Sequence, residues 1–142
     1  MRKISIVFTV FCMICNSTQV IAKPTYNQAR AIYNAMGKTI DESGIWYQKN
    51  TDERVKLAKA ASALILQAEK AFGDDPLISP YRQCLIAVTS HQQLVLNLNE
   101  LAEVTQGVRK LSNPSGIFMP LQSSVRFGDA RAWCFSEIET LR

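Results

Sequence analysis

The sequence predicts an all-α, single-domain bundle of four or five helices with one disulfide. Three observations carry that expectation. Apolar residues recur at three- and four-residue spacing along every long segment. Helix-start and helix-stop residues punctuate those segments. Outside an N-terminal apolar stretch the cysteines form an even pair, Cys84 and Cys134.

Arg2 and Lys3 precede the apolar stretch Ile4–Cys15, polar Asn16–Gln19 follows, and Val20-Ile21-Ala22 offers compact residues before a cut at Lys23. That is the layout of a secretory signal, and the apolar run is shorter than the roughly 20 residues that span a bilayer. Residues 1–22 are expected to be removed near Ala22. Residues 23–142 then form the working domain, periplasmic or secreted, with no stable membrane insertion. Phe11 and Ile14, which precede Cys12 and Cys15, are not the small residues a lipid-anchor signal needs. Asn113 is followed by Pro114, so no usable glycosylation sequon remains, which favours a bacterial periplasm.

Losing Arg2 and Lys3 lowers the formal net charge from +4 to +2. The charges are interspersed, so a nucleic-acid partner is not expected. In an oxidising compartment, Cys84 and Cys134 most simply pair. Closing a loop of about 50 residues stabilises a fold by on the order of 4 kcal/mol in the chain-entropy model.

Element by element, Thr25-x-x-Gln28 resembles a capping box, and Ala29, Ile32, Tyr33, Met36 and Ile40 follow at helical spacing. Gly37 and Gly44 weaken this segment, and Ile45-Trp46-Tyr47 reads as a second, irregular piece. Asn50-Thr51-Asp52-Glu53 is a helix start with a cap candidate and acids in the first turn. The helix it opens presents Val55, Ala58, Ser62, Ile65, Ala68 and Phe72 on one face and Leu57, Ala61, Leu64 and Ala71 on a neighbouring one. Gly73 and Asp74-Asp75-Pro76 end it. Ser79 as N-cap and Pro80 at the first helical position open the third element, with Cys84, Leu85, Val88, Val95, Leu98 and Ala102 on one stripe and Leu94, Leu101, Val104 and Val108 on another. Leu94–Asn99 alternates briefly like a strand, but the helical period on both sides outweighs it. Leu111–Ser124 reads as a loop rich in Pro, Gly, Ser and Asn. The last helix is expected from about Asp129 to Leu141, with Ala130, Trp133, Cys134, Ile138 and Leu141 inward.

The chemistry-bearing residues are sparse. His91, the single histidine, lies seven residues after Cys84. Two helical turns separate such side chains by about 10.5 Å along the axis, too far for a nucleophile and its base. His91 is expected to be a hydrogen-bonded residue on a half-buried face. Two cysteines and one histidine lack the paired spacing of a zinc motif, no glycine-rich phosphate loop or serine elbow occurs, and no cofactor or metal is expected. The carboxylate pairs Asp41/Glu42, Asp52/Glu53, Asp74/Asp75, Glu100/Glu103 and Glu137/Glu139 have the residue type for glycosidase chemistry, yet caps and solvated faces account for them. No catalytic role is assigned to any residue.

Binding remains. Ser115–Leu121 places Ile117, Phe118, Met119 and Leu121 among turn formers. If exposed, these side chains would anchor a protein partner; the bland alternative, which the sequence favours, is that Phe118 and Leu121 fold back onto the bundle. Trp46 is a second anchor candidate, and again core packing is the favoured explanation. In size, export and helicity the chain resembles periplasmic immunity proteins, small helical domains that block a cell-wall-degrading toxin. That resemblance implies a non-catalytic inhibitor whose partner is an enzyme toxin. An accessory factor or chaperone of an envelope secretion or conjugation machine, and a small cell-wall hydrolase, are the alternatives.

Overall fold

The computed structural model describes residues 25–42, 46–108, 110 and 118–142, without the side chains of Glu42 and Tyr47. The expected signal segment, Ile45 and Leu111–Ile117 lie outside the described residues. Four long helices make up the described chain: α1 (Tyr26–Glu42), α2 (Thr51–Phe72), α3 (Arg82–Thr105) and α4 (Met119–Thr140), with a 3-10 turn at Trp46–Gln48 between α1 and α2. Among the described residues there is no strand, and Leu94–Asn99 lies within α3. The helical reading of that stretch holds because Leu94 and Val95 are both buried while Leu96 is exposed, which an alternating strand would not give.

The starts of α1 and α2 are set locally. Thr25 and Gln28 cap each other's backbone N–H groups at the head of α1, and Asn50 and Glu53 do the same for α2, at 2.9 and 3.0 Å. At the other end of α2, Gly73 takes φ 87° and its N–H donates to the Glu69 carbonyl. A side chain there would be strained, so the glycine is a stop signal.

Packing is organised around α3, which meets α4 most extensively, then α2, while α1 closes the side against α2 and α4. Ala61 and Ala68 on α2 and Ala87 on α3 are wholly buried, so small residues let the helix backbones approach. The main core gathers Met36, Phe72, Tyr81, Val88, Phe127 and Ile138 from all four helices and the turn before α3. A smaller core joins Trp46 to Leu57, Ala61, Val95 and Ala102. Cys84 and Cys134 lie at disulfide distance, with Cα atoms 4.4 Å apart, and tie α4 to the start of α3.

Several expectations need correction. Ser79 and Pro80 do not open α3. Ser79 Oγ instead accepts the Tyr81 N–H at 3.1 Å, an ordered turn, and the helix begins at Arg82. On α2 the inward face is Leu57, Ala61, Leu64, Ala68 and Phe72, while Val55 and Ser62 are exposed. The last helix starts ten residues before the expected Asp129, because Pro120 occupies the first turn, where its missing N–H costs nothing. Phe127, Ala130, Cys134 and Ile138 set its inward side, which puts Trp133 at 64 % exposure rather than in the core.

Candidate partner-binding surface

Where α4 leaves the turn at Phe118, the chain has no side-chain cap, and the first residues carry large apolar groups into solvent. Phe118 is 69 % exposed, Met119 52 % and Leu121 66 %. The inward side of this turn is taken by Pro120 and by Ser123, whose hydroxyl accepts the buried Asn97 Nδ2 from α3. That cross-helix bond fixes the rotation of α4. With Ser123 inward, helical geometry turns Leu121 and Val125 outward. The favoured expectation that Phe118 and Leu121 cover the bundle is therefore wrong; both stand clear of it. Ile117 lies outside the described residues. Trp46 is 5 % exposed within the smaller core and drops out of the surface.

The outward side of α4 continues the apolar character beyond the three anchors. Val125 is exposed, and so are Gly128 and Ala132. The sequence expectation passes over Val125 and Gly128, which fall between the expected loop and the expected helix start at Asp129, and over Ala132, which lies on the outward side of that helix. The signal that finds them is the seven-residue recurrence of Phe118, Val125 and Ala132. Arg126 and Asp129, also exposed, flank the stripe.

Cys84 and His91 lie apart in function as well as along α3. The Cys84 sulfur is taken by the disulfide. His91 is wholly buried and tilted against Phe127 at 5.3 Å between ring centroids, and neither ring nitrogen meets a protein hydrogen-bond partner. The expectation of a half-buried, hydrogen-bonded histidine fails because the early start of α4 lays Phe127 over this position. Burial, then the Arg131 cation, push the His91 pKa down to about 4, so the ring is neutral at ordinary pH.

Four carboxylates from the carboxylate pairs have structural partners. Glu137 reaches from α4 to the uncapped start of α3, where its Oε2 accepts the N–H groups of Gln83 and Cys84 at 2.9 and 3.2 Å. Its burial pushes the carboxyl above the ordinary range, opposed by those two bonds and by Arg82. Glu139 accepts from Tyr26 at 3.0 Å and Arg30 at 3.2 Å, closing α1 onto α4. Glu53 belongs to the α2 capping box, and Asp75 accepts the Leu77 N–H at 2.8 Å in its loop. Among the described residues no group of three His, Cys, Asp or Glu side chains could hold a metal ion, and no helix is long and apolar enough to cross a membrane.

Two depressions lie elsewhere among the described residues. One, of about 310 Å³, lies between α2 and α3 with Ala68, Leu85 and Val88 in its floor and Glu69 and Asp74 at its edge. The other is a shallow hollow beside Arg131, whose guanidinium lies 4.8 Å from the Tyr33 ring and passes so close to Gly37 that a Cβ there would meet Nη2 at 2.5 Å. A side chain at this position of α1 would push the Arg131 guanidinium aside. Comparison of the chain with protein-family models, with curated proteins and with solved structures gives no match.

Proposed function

We propose that this chain is an exported, non-catalytic protein-binding module, and that its partner docks on the outward side of α4, starting at Phe118, Met119 and Leu121. The observation that carries this reading is the exposure of three large apolar side chains at the N-cap and first turn of a core helix, where packing gives them no purpose. Burying each such side chain in a partner is worth about 1.5–3 kcal/mol, and anchors of this kind dominate interface energetics. The helix supplies preorganisation, because its inward side is fixed by the Asn97–Ser123 bond and the Cys84–Cys134 pair. The partner class that suits an exported, disulfide-tied helical module is a cell-wall-active enzyme toxin, which the module would neutralise in the periplasm by filling its cleft.

The test is capture from a bacterial envelope extract, followed by mass spectrometry and a peptidoglycan-hydrolysis assay. A single enzyme held in equimolar complex, and inhibited by it, is the expected result. Retention of several envelope components in place of one enzyme points to an accessory factor or chaperone. Peptidoglycan cleavage by the purified protein itself, with no partner retained, refutes the binding reading.

A further inference from the structure

Resting on the reading that the outward side of α4 is a docking surface, we infer that its resting occupant is a second copy of this chain, packed antiparallel across a two-fold axis. The stripe follows a heptad. Phe118, Val125 and Ala132 are seven apart, and Leu121, Gly128 and Phe135 each follow three residues later. A period of 3.5 residues makes the narrow seam of a helix pair. The bundle does not consume it, because α4 gives Phe127, Ala130, Cys134 and Ile138 to its own core.

The stripe is complementary to itself reversed. Turning one α4 against another about a point between Arg126 and Phe127 brings three layers into register, each formed twice. Phe118 meets the partner's Phe135, Leu121 meets the partner's Ala132, and Val125 meets the partner's Gly128. In the two inner layers the bulky residue of one copy faces the smallest of the other, which is how close-packed seams interdigitate. The space at Gly128 is real, since a Cβ built there meets nothing within 4 Å. Phe135 already touches Tyr33 at 5.6 Å and lies under Arg30, yet remains 40 % exposed, so an incoming Phe118 would complete an aromatic cluster.

Charge agrees with the same register. Arg126 and Asp129 are exposed, and among the described residues neither forms an ion pair within its own chain. The reversal sets Arg126 of one copy within reach of Asp129 of the other, on the same flank, twice. A parallel pairing would instead oppose Gly128 to Gly128 and Arg126 to Arg126, leaving a gap and a like-charge contact. An isologous interface of this kind closes on itself and hides the apolar stripe without forming fibres. A heterologous partner then binds by displacing the second copy.

Sedimentation velocity of the purified protein at micromolar concentration is expected to show twice the mass of one chain. Val125→Lys alone and Gly128→Glu alone should each sediment at half that mass with unchanged helical circular dichroism, because both positions face solvent. Mixed in equal amounts, the two variants should regain the dimer mass. The introduced lysine then faces the introduced glutamate in one inner layer, and the other layer stays Val–Gly. A monomeric wild type, a dimer that survives either substitution, or a mixture that stays monomeric overturns the inference. A monomeric wild type that still captures an enzyme through Leu121 leaves the binding reading standing, whereas a dimer that captures nothing removes that reading alone.

Discussion

Buried polar side chains carry the clearest residue-scale consequences. His91 loses its ordinary hydration and gains no protein partner, so folding favours the neutral ring. The unfolded chain takes up a proton near pH 6.5, the folded chain only near pH 4. The contribution is therefore intact above about pH 6.5 and lost progressively as pH falls toward 4, on the order of 3 kcal/mol in all. His91→Leu should flatten denaturant midpoints between pH 7 and 4 without lowering stability at pH 7, because an apolar group of similar size replaces an unpartnered polar one. An undiminished pH slope in that variant would assign the effect elsewhere. Arg54 is the opposite case. It is 1 % exposed but satisfied, donating to the Lys49 carbonyl at 2.7 Å, to Asn99 at 3.2 Å and to the Thr51 hydroxyl at 3.4 Å. Nothing in a first turn flanked by Asp52 and Glu53 announces a buried guanidinium, since its acceptors come partly from α3, 45 residues on. His91 was equally illegible, because what buries it is a distant helix whose start was misplaced.

At the scale of elements, legibility follows locality. The caps of α1 and α2 join residues three apart; the first is readable as a Thr25–Gln28 box, the second only as a helix start with a cap candidate and acids at Asn50–Glu53. Asn50→Ala should cost about 1 kcal/mol of stability, read from chemical unfolding; a cost near zero would mean the box is not formed in solution. The start of α3 was misread because its cap is not local at all, coming from Glu137 on α4. Glu137→Ala strands two N–H donors and should destabilise by about 1–3 kcal/mol, with amide exchange rising at the α3 start while the α2 start stays unchanged. The beginning of α4 was hidden by Pro120 and a run of serines, turn formers by composition. Tertiary contacts make the same residues helical, with Pro120 in the first turn and Ser123 bonded to Asn97. That misplaced start concealed the continuation of the Phe118–Leu121 cluster into Val125 and Gly128.

For the whole molecule, the sequence already implied an all-helical fold tied by Cys84 and Cys134, because 3.6-residue periodicity and an even cysteine pair survive without any knowledge of packing. The separation of 50 residues makes the tie long-range, and its reduction should lower stability by on the order of 4 kcal/mol. Thermal unfolding with and without reductant reads this directly, and coincident curves would rule it out. Which surface works was not legible, because exposure depends on the rotation of α4 about its own axis. The central claim is that the outward side of α4 is the working surface. Its most direct test is calorimetric titration of the captured enzyme with wild type, Leu121→Glu and Leu66→Glu, the last altering an equally exposed leucine on α2. Binding should weaken roughly tenfold or more for Leu121→Glu and stay unchanged for Leu66→Glu, with all three proteins keeping the same helical circular dichroism. Equal affinity for all three proteins would contradict the claim.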